Sequence, residues 1–181
     1  SDKVFAIFGP SSSAVGVPMK TTMANSGVPV LIPSFSSPLM TEPLVPNIFR
    51  VGTINDRLQG RGIINYLVER EKLKKIAILR QSDEYGATGA TSMTARLTEM
   101  KMAPVATEVF NAADTDFPSQ VLRVRAAEPD GIVVYGYPAP SAIITRQLRE
   151  VGVKAEIIGS SATSNQNYPE LVGKIGAGTK F

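Results

Sequence analysis

A run of hydroxyl groups at the mouth of a strand is the first place in this sequence where chemistry can be done. Residues 4–8 (V-F-A-I-F) read as a buried parallel strand, Gly9-Pro10 breaks it, and Ser11, Ser12 and Ser13 follow. A helical pattern then opens with Val15, Met19, Thr22 and Met23. A helix that starts directly after a strand leaves its first backbone N–H groups unpaired at the strand's exit. Together with the positive end of the helix dipole and the serine hydroxyls, they form a seat for a small anion. A serine that simply caps the helix accounts for the same residues. Two carboxylate pairs, Asp83-Glu84 and Asp114/Asp116, have the type and spacing for acid–base work. Turns and helix caps are the commoner use of such pairs, and that is the reading adopted.

Other chemistries are excluded by composition. The chain has no histidine and no cysteine, which removes His- or Cys-based metal sites, a Cys nucleophile and a Ser-His-Asp triad. Residues 9–16 lack the Gly-Lys-Ser/Thr ending of a phosphate-gripping loop, and neither Gly-x-Gly-x-x-Gly after a strand nor Gly-x-Ser-x-Gly occurs. The formal charge of +3 is scattered, with few aromatics near the basic residues, which argues against a nucleic-acid partner. The absence of cysteine leaves the redox compartment open. No apolar run approaches the roughly 20 residues of a membrane span.

The elements that must position these groups alternate along the chain. Strands are expected at residues 4–8, 28–32, 48–51, 75–80, 104–110, 131–135 and 154–158. Helices are expected over 14–26, then on a face formed by Leu58, Ile63, Ile64, Leu67 and Val68. Further helices carry Ala90, Met93, Leu97 and Met100, then Phe117, Val121 and Val124, then Ile144, Leu148 and Val151, with a weaker one at 169–173. Residues 52–56 look like a connection between two units. The alternation predicts an α/β fold of parallel, doubly wound sheets. Ligands in such sheets bind beyond the carboxyl ends of the strands. The residues found there are Ser11–Ser13, Ser34–Ser37 with Phe35, Asp83-Glu84-Tyr85, Tyr137, and Ser160-Ser161.

The chain carries, in order, F-G-P-S-S-S (8–13), G-V-P-V-L-I-P-S (27–34), N-I-F-R (47–50), Q-G-R (59–61), K-K-I-A-I-L (74–79) and D-E-Y-G (83–86). D-T-D-F (114–117), E-P-D-G-I-V (128–133), Y-G-Y (135–137) and L-R-E-V-G (148–152) complete the set. With these pieces the chain resembles the type I periplasmic solute-binding proteins of branched-chain amino acid ABC transporters, over nearly its whole length. The resemblance implies two α/β lobes closing on a ligand, with residues 1–53 the last part of lobe one and residues 54–181 most of lobe two. It implies a fragment, short of the family's opening strands, return crossovers and closing strands, whose lobe-one sheet has an edge in need of cover. The start at Ser1-Asp2 is read as a removed secretory leader or an interior cut.

The resemblance also places a ligand site. Ser13, with Ser12 beside it, falls where the family holds the ligand carboxylate; Ser34 and Ser36 fall on the second binding loop; Tyr85 and Tyr137 fall on the aromatic walls. Phe35 stands where a small residue is usual and is expected to add aromatic surface near the pocket. Amino acid binders place an acid after the last strand, to pair with the ligand ammonium, and here that place is Ser161. An ammonium buried without a counter-charge costs several kcal/mol. The expectation is therefore a small carboxylate without an α-ammonium, such as an aromatic or 2-oxo acid, or a branched-chain amino acid if Asp83 or Glu84 supplies the charge. What the resemblance implies for the whole is a non-catalytic receptor, periplasmic or an extracellular lipoprotein, with no cofactor or metal, docking on ABC permease subunits. A sensory domain of the same fold and a transferase on a doubly wound fold are the alternatives.

Overall fold

The computed structural model describes residues 3–165 and 167–181, so the start at Ser1-Asp2 lies outside the described residues. Seven strands form two parallel sheets. The first contains β1 (Ile7–Phe8), β2 (Val30–Ile32) and β3 (Ile48–Arg50), in that order. Helix α1 (Ser13–Asn25) connects β1 to β2. One row across this sheet, Ile7, Val30 and Ile48, packs on Met23, Phe35 and Met40. The neighbouring row pairs Phe8 with Leu31 and Leu31 with Phe49. It faces outward, and Phe8 is 74% exposed.

Here the structure corrects the sequence reading twice. The strand at 4–8 shortens to Ile7–Phe8 and is not buried, with Phe5 93% exposed, because β1 is the edge strand and one face of its sheet is open. Of the helical pattern, Val15 and Met19 point to solvent; Ser13, Gly16 and Met23 are the buried positions of α1. The cause is Phe35, whose ring lies where a Gly16 Cβ would be, at 2.6 Å. Only a residue without a side chain brings α1 that close to the ring.

The second sheet has the order β5-β4-β6-β7, from β4 (Ile76–Gln81), β5 (Ala106–Phe110), β6 (Gly131–Tyr135) and β7 (Glu156–Gly159). Alternate residues of its central strands serve opposite faces. Ala77, Leu79, Ile132 and Val134 pack on α4 (Pro118–Ala126) and α5 (Pro138–Glu150) through Val121, Val124, Ile144 and Leu148. Ile76, Ile78, Val133 and Tyr135 pack on α2 (Asp56–Asn65) and α3 (Glu84–Glu99) through Ile64, Met93 and Leu97. A short α6 (Asn167–Val172) lies against α5 through Tyr168 and Ala142.

From β4 the chain crosses to β5 on one side, then returns past β4 to β6 on the other. The strand order therefore reverses between β4 and β6, the point where an open parallel sheet leaves a crevice at its carboxyl end. Asp83 caps α3 there, its carboxylate accepting from Gly86 N–H at 3.0 Å, so the helix starts at Glu84 directly after β4. Gly86 permits this tight strand-to-helix junction, since a Cβ would lie 2.0 Å from the Gln81 carbonyl oxygen. Gly86→Ala is expected to lower stability by about 1–3 kcal/mol through that overlap. A shift in the urea-unfolding midpoint measures it.

Candidate functional site

The carboxyl ends of both sheets face one cavity of about 310 Å³. From the first sheet come Ser11 and Ser13 ahead of and within α1, and Ser34, Phe35 and Ser36 after β2. From the second come Tyr85 at the start of α3, Tyr137 after β6 and Ser161 after β7. All the sequence-derived site residues except Ser12 thus share one concave surface. Ser12 is the helix cap: its Oγ accepts from Val15 N–H at 3.4 Å. The Ser12 side chain also stands beside the Tyr137 phenol, and Ser13, one residue on, lines the cavity.

Each wall is fixed by local bonding. Ser13 is fully buried and its Oγ accepts from Ser37 N–H at 3.2 Å, which leaves its hydroxyl proton uncommitted to that bond. Ser34 Oγ donates to the Ser11 carbonyl at 3.2 Å, tying the two serine loops together. Arg50 donates to the carbonyls of Phe35 and Ser37, the latter at 2.8 Å, and holds the second loop from below. Burial draws the Arg50 guanidinium below its usual range, and the nearby Asp56 and Glu42 charges oppose that. Phe35 touches the cavity, but its ring is mostly core, wedged against Gly16 and Pro10. The expected aromatic surface is accordingly small.

The other wall is a stack of phenols. The Tyr85 and Tyr137 rings lie parallel with centroids 5.4 Å apart, and Tyr85 rests on Tyr135 at 4.7 Å. Burial pushes the Tyr85 phenol up, and the hydroxyls of Ser160, Tyr135 and Ser161 offset part of that rise. None of the three meets hydrogen-bond geometry, so the Tyr85 hydroxyl, in a side chain only 4% exposed, is unpaired among the described residues. Tyr137 is raised by burial and then by the Asp83 charge. Its backbone N–H is held by the Gln81 carboxamide at 3.2 Å.

Charge is absent from this surface. None of the described residues lining the cavity is an acid or a base. Asp83 is committed to its cap and to the Gln81 amide at 2.8 Å, and Glu84 lines a separate cavity of about 500 Å³ with Leu39, Arg57 and Arg61. Neither carboxylate lines the cavity that Ser161 lines. Among the described residues no cluster of acids suited to a metal ion occurs either.

The model of the periplasmic binding proteins matches residues 1–180. The chain belongs to that family. The Leu/Ile/Val-binding protein homolog 3 of Brucella melitensis is 26% identical over 180 residues, 99% of this chain and 49% of its own. The leucine-, isoleucine-, valine-, threonine- and alanine-binding protein of Pseudomonas aeruginosa is 25% identical over 178 residues, 98% and 48% respectively. Among solved structures, a type 1 periplasmic binding protein from Bordetella pertussis superposes with a TM-score of 0.91 at 26% identity, covering 98% of this chain and 50% of that one. The LivJ substrate-binding protein of Streptococcus pneumoniae, in complex with isoleucine, gives 0.80 at 29%, covering 94% and 48%. The type I fold expected from the motifs is therefore the fold observed, and this chain of the periplasmic binding protein family spans about half the length of the curated relatives it matches.

Behind the phenols lies a polar network that the sequence reading missed. Asp56, the first residue of α2, is fully buried; its carboxylate accepts from the Tyr135 hydroxyl at 2.5 Å and from the Thr88 hydroxyl. Gln59, one turn on, contacts both Tyr135 and Ser161. The expected apolar face of α2 had Leu58 inward, but Leu58 is 58% exposed and the buried positions are Asp56, Gln59, Gly60, Ile63 and Ile64. Asn55, an N-cap residue, marks where α2 begins but not which face turns inward. The N–H of Asp56 also donates to the Ser36 carbonyl at 2.9 Å, joining α2 to the serine loop of the first sheet.

Proposed function

We propose that this chain is the ligand-gripping part of an extracytoplasmic, non-catalytic solute receptor serving an ABC importer, and that its solute is a small carboxylate without an α-ammonium. Residues 1–53 belong to one lobe and residues 54–181 to the other, in a periplasmic protein or an extracellular lipoprotein that presents its closed form to permease subunits. The relatives, named as amino acid binding proteins, support the receptor class.

The observation that carries the ligand class is an uncharged cavity at the amino end of α1. Val15 and Gly16 direct their N–H groups to Ser12, so those of Ser13 and Ala14 stand ahead of the first intrahelical bond. These donors and the Ser13 hydroxyl suit a carboxylate, with Ser34 and Ser36 beside it and Tyr85 and Tyr137 against the solute's apolar body. Among the described residues no carboxylate lines the cavity to meet an ammonium, and leaving one unpaired costs several kcal/mol.

Isothermal calorimetry on the full-length receptor tests this with benzoate, 4-methyl-2-oxopentanoate and leucine. At least one of the first two is expected to bind in the micromolar range, with no heat from leucine. Micromolar leucine binding with no response to either acid overturns the ligand class.

A further inference from the structure

Among the described residues, one ion pair joins the two units that meet at the cavity. Arg57 Nη2 donates to Glu42 Oε2 at 2.5 Å, and every other ion pair lies within residues 54–181. Glu42 follows the short turn Pro38–Met40 ahead of β3, and Arg57 is in the first turn of α2, so the pair bridges the two units. Each backbone is tied to its own unit. Lys20 of α1 donates to the carbonyls of Leu39 and Glu42, the latter at 3.4 Å, so the turn that carries Glu42 moves with α1. The Arg57 carbonyl accepts from the Ser92 hydroxyl of α3 at 2.9 Å, so Arg57 moves with α3. Drawing the units apart therefore pulls on the pair. Neither residue lines the solute cavity; Arg57 lines the separate one with Leu39 and Glu84.

We infer that Glu42 and Arg57 form an electrostatic latch that biases the two units toward their closed arrangement and that salt loosens. The inference rests on the two-lobe receptor reading above and extends it. One helix on each side connects the latch to the cavity walls: α1 carries Ser13 and Lys20, and α2 carries Arg57 between Asp56 and Gln59. Holding Glu42 against Arg57 thus holds the serine wall against the phenol wall. The strength suits a device that must release. The Arg57 and Glu42 side chains are 63% and 40% exposed. An ion pair that wet shifts an equilibrium by about fivefold at most, which biases closure without locking it. A closed arrangement already favoured by the latch reduces what the solute itself must supply. Glu42 and Arg57 are positioning residues, acting on the solute only through the separation of the walls.

Pulsed electron spin resonance on the full-length receptor without solute reads the closed fraction directly. Spin labels go on Met19→Cys of α1 and Thr94→Cys of α3, both exposed positions, with any other cysteine replaced by serine. A short and a long distance are expected, and Glu42→Gln or Arg57→Gln is expected to lower the ratio of short to long by about two- to fivefold. Salt at about 1 M, where the screening length is about 3 Å, is expected to do the same to the receptor with its native pair and to leave Glu42→Gln unchanged. Reversing the pair, with Glu42→Arg and Arg57→Glu together, is expected to restore the ratio to within about twofold. If both distances occur and their ratio ignores charge and salt, the latch fails while the two-lobe reading stands. A long distance alone leaves no closed arrangement to favour and also overturns the latch. A short distance alone, in every variant and in salt, overturns the latch and the two-lobe movement together.

Discussion

Asp56→Ala is expected to cost about 3–5 kcal/mol of stability, far more than a typical helix substitution. The carboxylate is fully buried and forms no ion pair among the described residues. Its charge is held instead by two hydroxyl donors, Tyr135 and Thr88, and by the amino end of α2. Hydrogen bonds to a charged group contribute about 1.5–3 kcal/mol each, and their removal strands a phenol in the core. Asp56→Asn keeps an acceptor and the shape, and is expected to lose about half as much. Urea unfolding monitored by circular dichroism gives both numbers. A loss below about 1 kcal/mol for the alanine variant would mean that the network contributes little. The same variant removes the partner that orders Tyr135 and Gln59, so solute affinity is expected to fall together with stability.

Position along the chain explains what was legible beforehand. Strand β6 was read to the residue, and Met93, Leu97, Val121, Val124, Ile144 and Leu148 are buried as their spacing required. These elements bury apolar side chains on a regular period, and the period is a property of the sequence itself. Leu58, Val15 and Met19 break the rule that apolar means inward. The inward face of α2 begins with Asp56 and Gln59 because their partner is Tyr135, 79 and 76 residues away. Nothing local in N-D-R-L-Q-G announces a phenol that arrives from another strand. Gly16 is similar: its lack of a side chain makes room for a ring from the β2 loop. The cavity residues were found by a different logic. They follow strand ends, and topology delivers every strand end in a parallel sheet to the same rim. Why Tyr85 and Tyr137 meet is likewise topological, since they follow β4 and β6, the two strands on either side of the order reversal.

Alkaline pH is expected to destabilise the fold steeply, because burial holds Tyr85, Tyr135 and Tyr168 protonated above the ordinary phenol value of 10.0, Tyr135 well above it. The direction follows from proton counting. Below pH 10 folded and unfolded chains bind the same phenol protons, and the full contribution is present. Above it the unfolded chain releases protons that the folded chain keeps, so stability falls as pH rises toward the folded values. Each such tyrosine contributes a slope of about 1.4 kcal/mol per pH unit in that window, about 4 kcal/mol per unit for three. Lys180, held protonated by Glu156 and Tyr66, acts in the same direction above its own ordinary value of 10.5. The discriminating variant is therefore Tyr135→Phe, which removes one phenol and is expected to flatten the slope by about 1.4 kcal/mol per pH unit. Urea midpoints measured from about pH 8 to about pH 11, with tyrosinate absorbance followed in parallel, provide the comparison. Tyrosinate absorbance that develops at pH 10 in the still-folded protein, with no change in midpoint, would show these phenols to be accessible.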